Sequence, residues 1–509
     1  MTLIEMLEKN VRFCPSKPAI LCGEDNISYM DLHESIMRLS NHFFLSGIEK
    51  GDKIAIMMDT KKPELIIAFL SIAACGGIAV PVDCNQTDEY VCEIFNIISP
   101  EAIVVSDRMY HRLEICGLSL PESRKIVCET DQPSLLAQSA KRKGINHITF
   151  LAEVLGNPIS ISRPPVPMDK DDTIYFNLTS GTTGAPKCAI TTHDNIYWNT
   201  LSAVEQLSLT SEDIHLCMFP AATHPHELVA RALFLGGTMV LTDNIAPKSL
   251  TKVIENNGVT AMMAVSPIYG NLTKCHKKTD FKFTSLRIAE SGGMHCDPIT
   301  AAGFKKRFGV PIIPVWGSTE TAGIALAMPL ESSLKKGSCG VPGKYYEIEI
   351  LDDNGNKVFP GDVGEMIIRS KGACDSYYKN EIETRKNFRN GWFYTNDMFK
   401  KDEDGFFYFS GRKNGMMKVA GMKVFPVEIE DMLVQHPLIR EAAVTKTKDP
   451  LHGEIPKAVI VLEEGALLSK KDIRVYCGSR IASYKIPRVI EFRDSLPRTH
   501  VGKILVNQL

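Results

Sequence analysis

Short apolar runs alternate with stretches of helical periodicity along most of this chain. Ile54-Ala-Ile-Met57, Ile78 to Val82, Ala102 to Ser106 and Thr173-Ile-Tyr-Phe176 read as strands, as do Thr238 to Thr242, Ala261 to Val265 and Pro311 to Val315. Between them, the amphipathic N-terminal segment, the almost wholly apolar stretch from Pro63 to Cys75 and a segment from about Glu227 to Leu235 read as helices. Nearly continuous apolar strands separated by helices predict layered α/β structure built on parallel sheets.

The pattern changes after about residue 337. Glu347-Ile-Glu-Ile-Leu351, the turn Asp352-Asp-Asn-Gly355 and a further strand form a hairpin signal. Glu365 to Arg369 and, after the turn Asp402 to Gly405, Phe406 to Ser410 add strands, so a small β-barrel-like section is expected before residue 411. Gly411-Arg-Lys-Asn-Gly415 is a polar, glycine-flanked break. Beyond it, a helix from near Pro426, strands at Glu441 to Val444 and Lys457 to Leu462, and a helix over Lys470 to Ser483 predict a small α+β unit long enough to fold alone. Two domains are expected: 1–411, large and α/β, and 412–509, small and α+β.

Composition narrows the class. A chain of 509 residues exceeds one core, and 44% hydrophobic with 23% charged residues is ordinary for a globular protein. A formal net charge of −2 gives no global basic field for nucleic acid or an anionic membrane. The longest apolar stretch, Leu65 to Val82, is interrupted by Gly76, Gly77 and Pro81, so it reads as a buried helix, a turn and a strand and not as a transmembrane segment. The N-terminus carries acids and lacks the apolar core of a signal peptide. The 14 cysteines form no CxxC pair and no Cys/His cluster, which points to reduced, largely buried thiols and a cytoplasmic location.

Four segments carry candidate chemistry. Thr179, Ser180, Gly181, Thr182, Thr183 and Gly184, then Ala185-Pro-Lys187, put hydroxyls, glycines and a cation in one loop after a strand. Glycine backbone lets several N–H groups converge on one anion, and the inventory suits a triphosphate. The spacing is not that of a Walker loop, in which Lys follows Gly directly and precedes Ser or Thr. Trp316, Gly317, Ser318, Thr319 and Glu320 follow an apolar strand, where open α/β sheets bind ligands. There Trp316 can stack on a base, Thr319 can donate to a phosphate and Glu320 can hold Mg²⁺, although an ordinary strand-end turn fits about as well. Asp397 can accept two ribose hydroxyls, with Arg412 in reach of the same sugar; a lone aspartate in a turn is more often a local cap. Lys503, after Gly502, is on its own a solvated loop lysine.

Taken in order, these segments resemble those of the adenylate-forming superfamily: acyl- and aryl-CoA synthetases, nonribosomal peptide adenylation domains and luciferases. The resemblance runs from Ile27-Ser-Tyr-Met-Asp-Leu32 to the end and also includes His193, Gly337 to Pro342, Gly391 to Asp397, Lys418 to Val424 and Glu428-Ile-Glu430. It implies two half-reactions. A carboxylate attacks the α-phosphate of ATP, giving an acyl-adenylate and pyrophosphate; a thiol then takes the acyl group and AMP leaves. It further implies that Thr179 to Lys187 grip phosphates, that Trp316 lies against adenine where Tyr is usual, and that Thr319 meets the α-phosphate. Glu320 would take Mg²⁺, Asp397 and Arg412 the ribose, and Lys503 the attacking carboxylate and α-phosphate. The small domain would be mobile, turning at Asn414 between the two steps so that Lys418, Gly421 and Met422 come to line a thiol tunnel.

The departures are Cys188 and Asn396, each where Gly is usual, and Asn507 where Arg is frequent. Asn tolerates left-handed backbone well. The usual Pro-x-x-His motif is blurred in Phe219-Pro-Ala-Ala-Thr-His-Pro-His226, leaving His224 or His226 for the gating role. Amino-acid-activating members of the superfamily carry an Asp in this region for the α-amine; none lies between Phe219 and Gly237, where Glu227 is the sole acid, so the resemblance implies an acid without an α-amino group, fatty or aromatic. By resemblance Gly292, Gly293, Met294, Ala322 and Gly323 lie near the acyl pocket, where small residues would leave room. The Lys418–Glu430 segment resembles that of acyl- and aryl-CoA synthetases more than that of peptide-synthetase modules, which implies coenzyme A as acceptor, with loading of a separate acyl carrier protein as the alternative. A silent nucleotide-binding module would not need Lys187, Glu320, Asp397 and Lys503 together.

Overall fold

The computed structural model describes residues 1–115, 125–130, 132–134, 148–157, 160–180, 186–220, 222, 225–275, 282–294, 296, 298–330, 335–419, 422–449, 453–498 and 504–509. Two compact units emerge. The first holds Met1–Ser333, Pro342–Glu347 and Arg369–Phe393; the second holds Leu334–Val341, Ile348–Ile368 and Tyr394–Leu509.

Strands of the first unit are β1 (Pro18–Cys22), β2 (Asp25–Ser28), β3 (Lys53–Met57), β4 (Ile78–Pro81), β5 (Ala102–Ser106), β6 (Lys125–Glu129), β7 (Ile148–Phe150), β8 (Thr173–Ser180), β9 (Pro186–Thr192), β10 (Ile214–Cys217), β11 (Thr238–Val240), β12 (Ala261–Ala264), β13 (Ile288–Ser291), β14 (Ile312–Ser318) and β15 (Gly323–Ala327). One sheet runs β7-β6-β5-β3-β4-β8-β9, parallel except for the edge hairpin β8–β9. The other contains β15-β14-β13-β12-β10-β11-β1-β2, parallel from β14 to β1 with antiparallel edges. The expected α/β layering is thus present.

One apolar cluster joins the two sheets: Ile54, Ala79 and Val104 from the first, Ile20 and Met239 from the second, and between them the helices Leu3–Phe13, Tyr29–Leu45, Pro63–Ala74 and Ala230–Leu235. The helix Pro63–Ala74 is buried along its whole length, which is why its sequence lacks a polar stripe. Its proline sits at the first turn, where no N–H is needed. Capping boxes start other helices: Thr2 with Glu5, Ser28 with Asp31, Thr192 with Asn195.

In the second unit, strands Glu347–Leu351, Gly364–Arg369, Trp392–Lys401 and Phe407–Arg412 belong to a five-stranded sheet. Further on, Met422–Val424, Met417–Val419, Gly453–Leu462 and Ile439–Asp449 form another sheet, completed by Val489–Phe492 alongside Gly453–Leu462. The helices Pro426–Leu433 and Lys470–Gly478 contribute Ile429, Leu433, Ile473 and Cys477 to its core.

Four local expectations need correction. The segment after Phe219 is a short 3-10 turn, Pro225–Leu228, and then the helix Ala230–Leu235, because Val229 leaves helical geometry. The helix from Lys470 stops at Gly478, and Ser483–Lys485 is a separate turn. Gly411 and Arg412 finish a strand, so the break is Lys413–Gly415. After Asp352–Gly355 only a single bridge, Leu351 to Lys357, closes the hairpin.

Three buried imidazoles make this fold acid-sensitive. Burial pushes His193, His215 and His226 each down to about 4. An unfolded imidazole titrates near 6.5, so between these values the unfolded chain binds more protons. The stability is complete above pH 6.5 and is lost as pH falls toward 4, by up to about 3 kcal/mol per histidine. Urea denaturation at pH 7 and pH 4.5 is expected to show this fall, and His215→Gln should remove about one proton from the slope; an unchanged slope contradicts the assignment. A second test concerns the hairpin β14–β15. A Cβ on Gly317 would lie 2.1 Å from the Gly323 carbonyl oxygen. Gly317→Ala is therefore expected to destabilise the chain by about 2 kcal/mol or more, read as a lowered denaturation midpoint.

Candidate active site

The hydroxyl-rich loop is the tip of the β8–β9 hairpin. The ladder sets Leu178 opposite Cys188, Thr179 opposite Lys187 and Ser180 opposite Pro186. Gly181, Thr182, Thr183 and Gly184 lie outside the described residues. Lys187 is buried, forms an ion pair with Glu383, and lies 5.3 Å from the centroid of the Tyr377 ring. Glu383 sits in the first turn of the helix Glu381–Asn387, and the Lys187 ammonium beside it holds its carboxyl below the usual range. Cys188 is buried in the apolar cluster with Val80, Phe95 and Phe176, and burial pushes its thiol up to about 12. It is core filling and not a nucleophile, which accounts for a side chain where the superfamily usually has none.

A third segment pairs with β9 and completes the arrangement. Ala189 bridges to Tyr377, and the Tyr378 N–H donates to the Cys188 carbonyl at 2.8 Å. Tyr377 in turn donates its hydroxyl to Glu320 Oε1 at 2.7 Å. Burial and the Glu320 charge push that phenol well above its ordinary value, so it stays a donor. Lys187 and Glu320 are therefore gathered around one tyrosine.

Glu320 lies in the turn between β14 and β15. The strand continues further than expected, so Trp316, Gly317 and Ser318 belong to it, while Thr319 and Glu320 form the turn. The Ser318 N–H donates to Thr321 Oγ1 at 2.8 Å, the Cys374 N–H donates to the Glu320 carbonyl at 2.8 Å, and Ala322 and Gly323 both have positive φ.

The residues placed near the acyl pocket gather at the carboxyl ends of this sheet. His226 is 1% exposed, with Nδ1 2.8 Å from the Tyr175 hydroxyl and Nε2 2.8 Å from the Ala322 carbonyl oxygen. His224 lies outside the described residues. A Cβ on Gly292 would meet Val315 Cγ2 at 2.8 Å, and one on Gly293 would meet Phe219 Cε1 at 3.4 Å. Met294 follows, partly buried. At Gly323 a Cβ would lie 2.5 Å from both Asn199 Oδ1 and Glu227 Oε1. The space beside these glycines is thus occupied by protein side chains.

In the second unit, Asp397 and Arg412 are cross-strand partners, with Arg412 Nε 2.8 Å from Asp397 Oδ1. Asp397 is 1% exposed. Asn396 has φ +57°, the left-handed conformation that explains Asn where Gly is usual. Asn414 lies in the turn Lys413–Gly415, whose Lys413 pairs with Glu365 at 2.6 Å. Lys418 faces Lys423 across the hairpin whose tip includes Gly421, outside the described residues, and Met422 is half exposed. Lys503 also lies outside them; Arg498 and Ile504 on either side form a bridge. Asn507 falls in the short turn Val506–Gln508.

Sequence reasoning missed Tyr377, Glu383, Arg231 and Glu290. The first two lie far from the loop they serve and leave no local signal. Arg231, alone among apolar residues in Leu228 to Leu235, and Glu290, in an apolar strand, did carry one: a charge at a core position.

Residues 7–378 match the family described as AMP-binding enzyme, and residues 428–503 match the AMP-binding enzyme C-terminal domain. The chain is 30% identical to a crotonobetaine/carnitine–CoA ligase of Salmonella arizonae, covering 95% of this chain and 93% of that one. It is 29% identical to the enzyme of the same name from Escherichia fergusonii, covering 96% and 95%. Among solved structures, the anthranilate CoA ligase AuaEII in complex with anthranoyl-AMP superposes with a TM-score of 0.89 at 25% identity, over 99% of this chain and 95% of that one. No described helix is long and apolar enough to cross a membrane. The chain belongs to the AMP-binding enzyme family and is an acid–thiol ligase of the AMP-forming acyl-CoA synthetase type, which makes an acyl-adenylate from a carboxylic acid and ATP and passes the acyl group to coenzyme A.

Proposed function

We propose that this ligase acts on a carboxylic acid without an α-amino group, in the cytoplasm, with the roles set out below. The observation that carries the reading is the gathering of Lys187 and Glu320 around Tyr377, which supports a cation and a carboxylate acting on one nucleotide. A carboxylate is a poor electrophile because its leaving group is oxide. Conversion to the mixed anhydride with AMP supplies a stable leaving group, and the enzyme's task is to bring two anions together.

Lys187, with Thr179 opposite it and the strand-end Ser180 and the loop Gly181 to Gly184 between, holds the phosphates that leave as pyrophosphate. Trp316 stacks on adenine with Gly317 and Ser318 beneath, and Thr319 meets the α-phosphate. Asp397 accepts the ribose hydroxyls; Arg412, already bound to it, orients that carboxylate. Glu320 is the carboxylate that would take Mg²⁺, a hard cation suited to one carboxylate plus phosphate oxygens, and the ion would offset phosphate charge. Lys503 bridges the attacking carboxylate and the α-phosphate, an electrostatic contribution of roughly 3–4 kcal/mol. Asn414 is the hinge, and Lys418, Gly421 and Met422 line the path of the thiol. Buried thiols outside any disulfide, such as Cys75, Cys188 and Cys374, support a reducing compartment.

The test separates the two half-reactions. With ATP, Mg²⁺ and an acid panel, pyrophosphate exchange reports adenylation; AMP release on adding coenzyme A reports transfer. Lys503→Ala is expected to lower exchange at least a hundredfold while still passing acyl from supplied adenylate to coenzyme A. Exchange at the wild-type rate would remove Lys503 from its role, and AMP release with a phosphopantetheinylated carrier protein alone would replace coenzyme A as acceptor. The Glu383 carboxylate competes with phosphate for Lys187. Glu383→Gln is therefore expected to lower the KM for ATP several-fold with kcat little changed, read from exchange kinetics; an unchanged KM would show that the pair does not compete.

A further inference from the structure

Beneath the helix Ala230–Leu235 the second sheet carries a charged floor that the nucleotide chemistry does not use. Cys217 of β10, Met263 of β12 and Glu290 of β13 lie side by side in register, so their side chains share one face near the carboxyl ends of three parallel strands. Arg231 enters from the first turn of the helix, its Nη1 2.6 Å from Glu290 Oε1 and its Nη2 3.7 Å from Glu227 Oε2. The side chains of Glu227, Arg231 and Glu290 are all less than a tenth exposed. A small cavity lies among them, lined also by His215, Cys217 and Met263.

This cavity is polar and unsatisfied. Arg231 Nε and Nη2, Glu290 Oε2 and His215 Nε2 are buried without a hydrogen-bond partner. Polar atoms buried in this way disfavour an apolar neighbour that cannot bond to them. Glu227 also connects the floor to the turn that carries Glu320, since it fills the space a Cβ would take on Gly323.

Charge decides which polar group fits. His215 is neutral in its buried site, and although burial raises the Glu290 carboxyl, the Arg231 guanidinium in contact with it opposes that rise; with both carboxylates ionised, one guanidinium faces two of them and the cluster sums to one negative charge. A second carboxylate on the substrate would double that charge away from water. A methyl end would leave it uncompensated. An ammonium cancels it and donates to Glu290 Oε2.

We propose that Glu227, Arg231 and Glu290 determine which acid is activated, and that this acid carries a primary ammonium at the end remote from the reacting carboxylate. The assignment rests on the ligase reading above. It is tested with wild-type enzyme by pyrophosphate exchange on straight-chain acids of matched length ending in ammonium, hydroxyl, methyl or carboxylate: 4-aminobutanoate, 4-hydroxybutanoate, pentanoate and glutarate, and the same set lengthened by one and two methylenes. The expected result is a kcat/KM at least tenfold higher for the ammonium acid of the best length. Glu290→Gln and Glu227→Gln, each checked for a wild-type denaturation midpoint, should raise KM for that acid alone and leave KM for ATP unchanged. Preference for the hydroxyl, methyl or carboxylate acid, or an equal effect of both variants on all four acids, overturns the assignment and leaves the ligase standing. Exchange with none of these acids also overturns the assignment; if an aromatic acid exchanges in their place the ligase reading stands.

Discussion

A single neutral imidazole ties the two sheets of the first unit together at their functional ends. His226 binds the Tyr175 hydroxyl of β8 through one ring nitrogen and the Ala322 carbonyl of the β14–β15 turn through the other. A carbonyl accepts and cannot donate, so Nε2 carries the hydrogen and Nδ1 accepts from the tyrosine. The ring is satisfied only in that tautomer, and burial keeps it neutral by pushing it down to about 4. The hairpin bearing Lys187 and the turn bearing Glu320 both extend from the strands so joined. Their meeting at Tyr377 therefore depends on a contact that touches neither.

Much of this organisation was legible because it is local. Ala102-Ile-Val-Val-Ser106 is buried along its whole length as β5; a run this short and rich in β-branched residues reads as a strand, where the longer apolar run from Pro63 reads as a helix. Asn396, standing where Gly is usual, signals a left-handed position and adopts one. Helix ends were less legible. The helix from Lys470 has no sequence stop stronger than Gly478-Ser479, and its amphipathic pattern runs on past the point where packing ends it. The segment after Phe219 looked helical by composition, but the double anchoring of His226 holds a tighter turn there. Tyr377 and Glu383 were beyond reach, because what brings them to Lys187 is strand pairing between segments far apart in the chain.

The site is a study in managed charge. Lys187 and Glu320 are each already engaged, by Glu383 and Tyr377, so both are held in place before any nucleotide arrives. Under the proposed roles such anchoring spares Glu320 later rearrangement, whereas Lys187 must leave Glu383 when phosphate takes its place. The Glu227–Arg231–Glu290 cluster follows another logic. Its charges are paired but not balanced, and its open hydrogen-bonding atoms line a cavity instead of being packed shut. Core ion pairs that serve stability alone gain from complete satisfaction.

Lys187 stands on the β8–β9 ladder, opposite Thr179, and not within the loop the ladder closes. Its position is thus inherited from strand register, while the residues proposed to wrap the phosphates belong to the intervening stretch of sequence. The two can vary independently: a loop of different length or composition could be grafted onto the same two strands and would find the cation waiting. Under the proposed roles, how tightly a nucleotide is enclosed could change without relocating the charge that meets it.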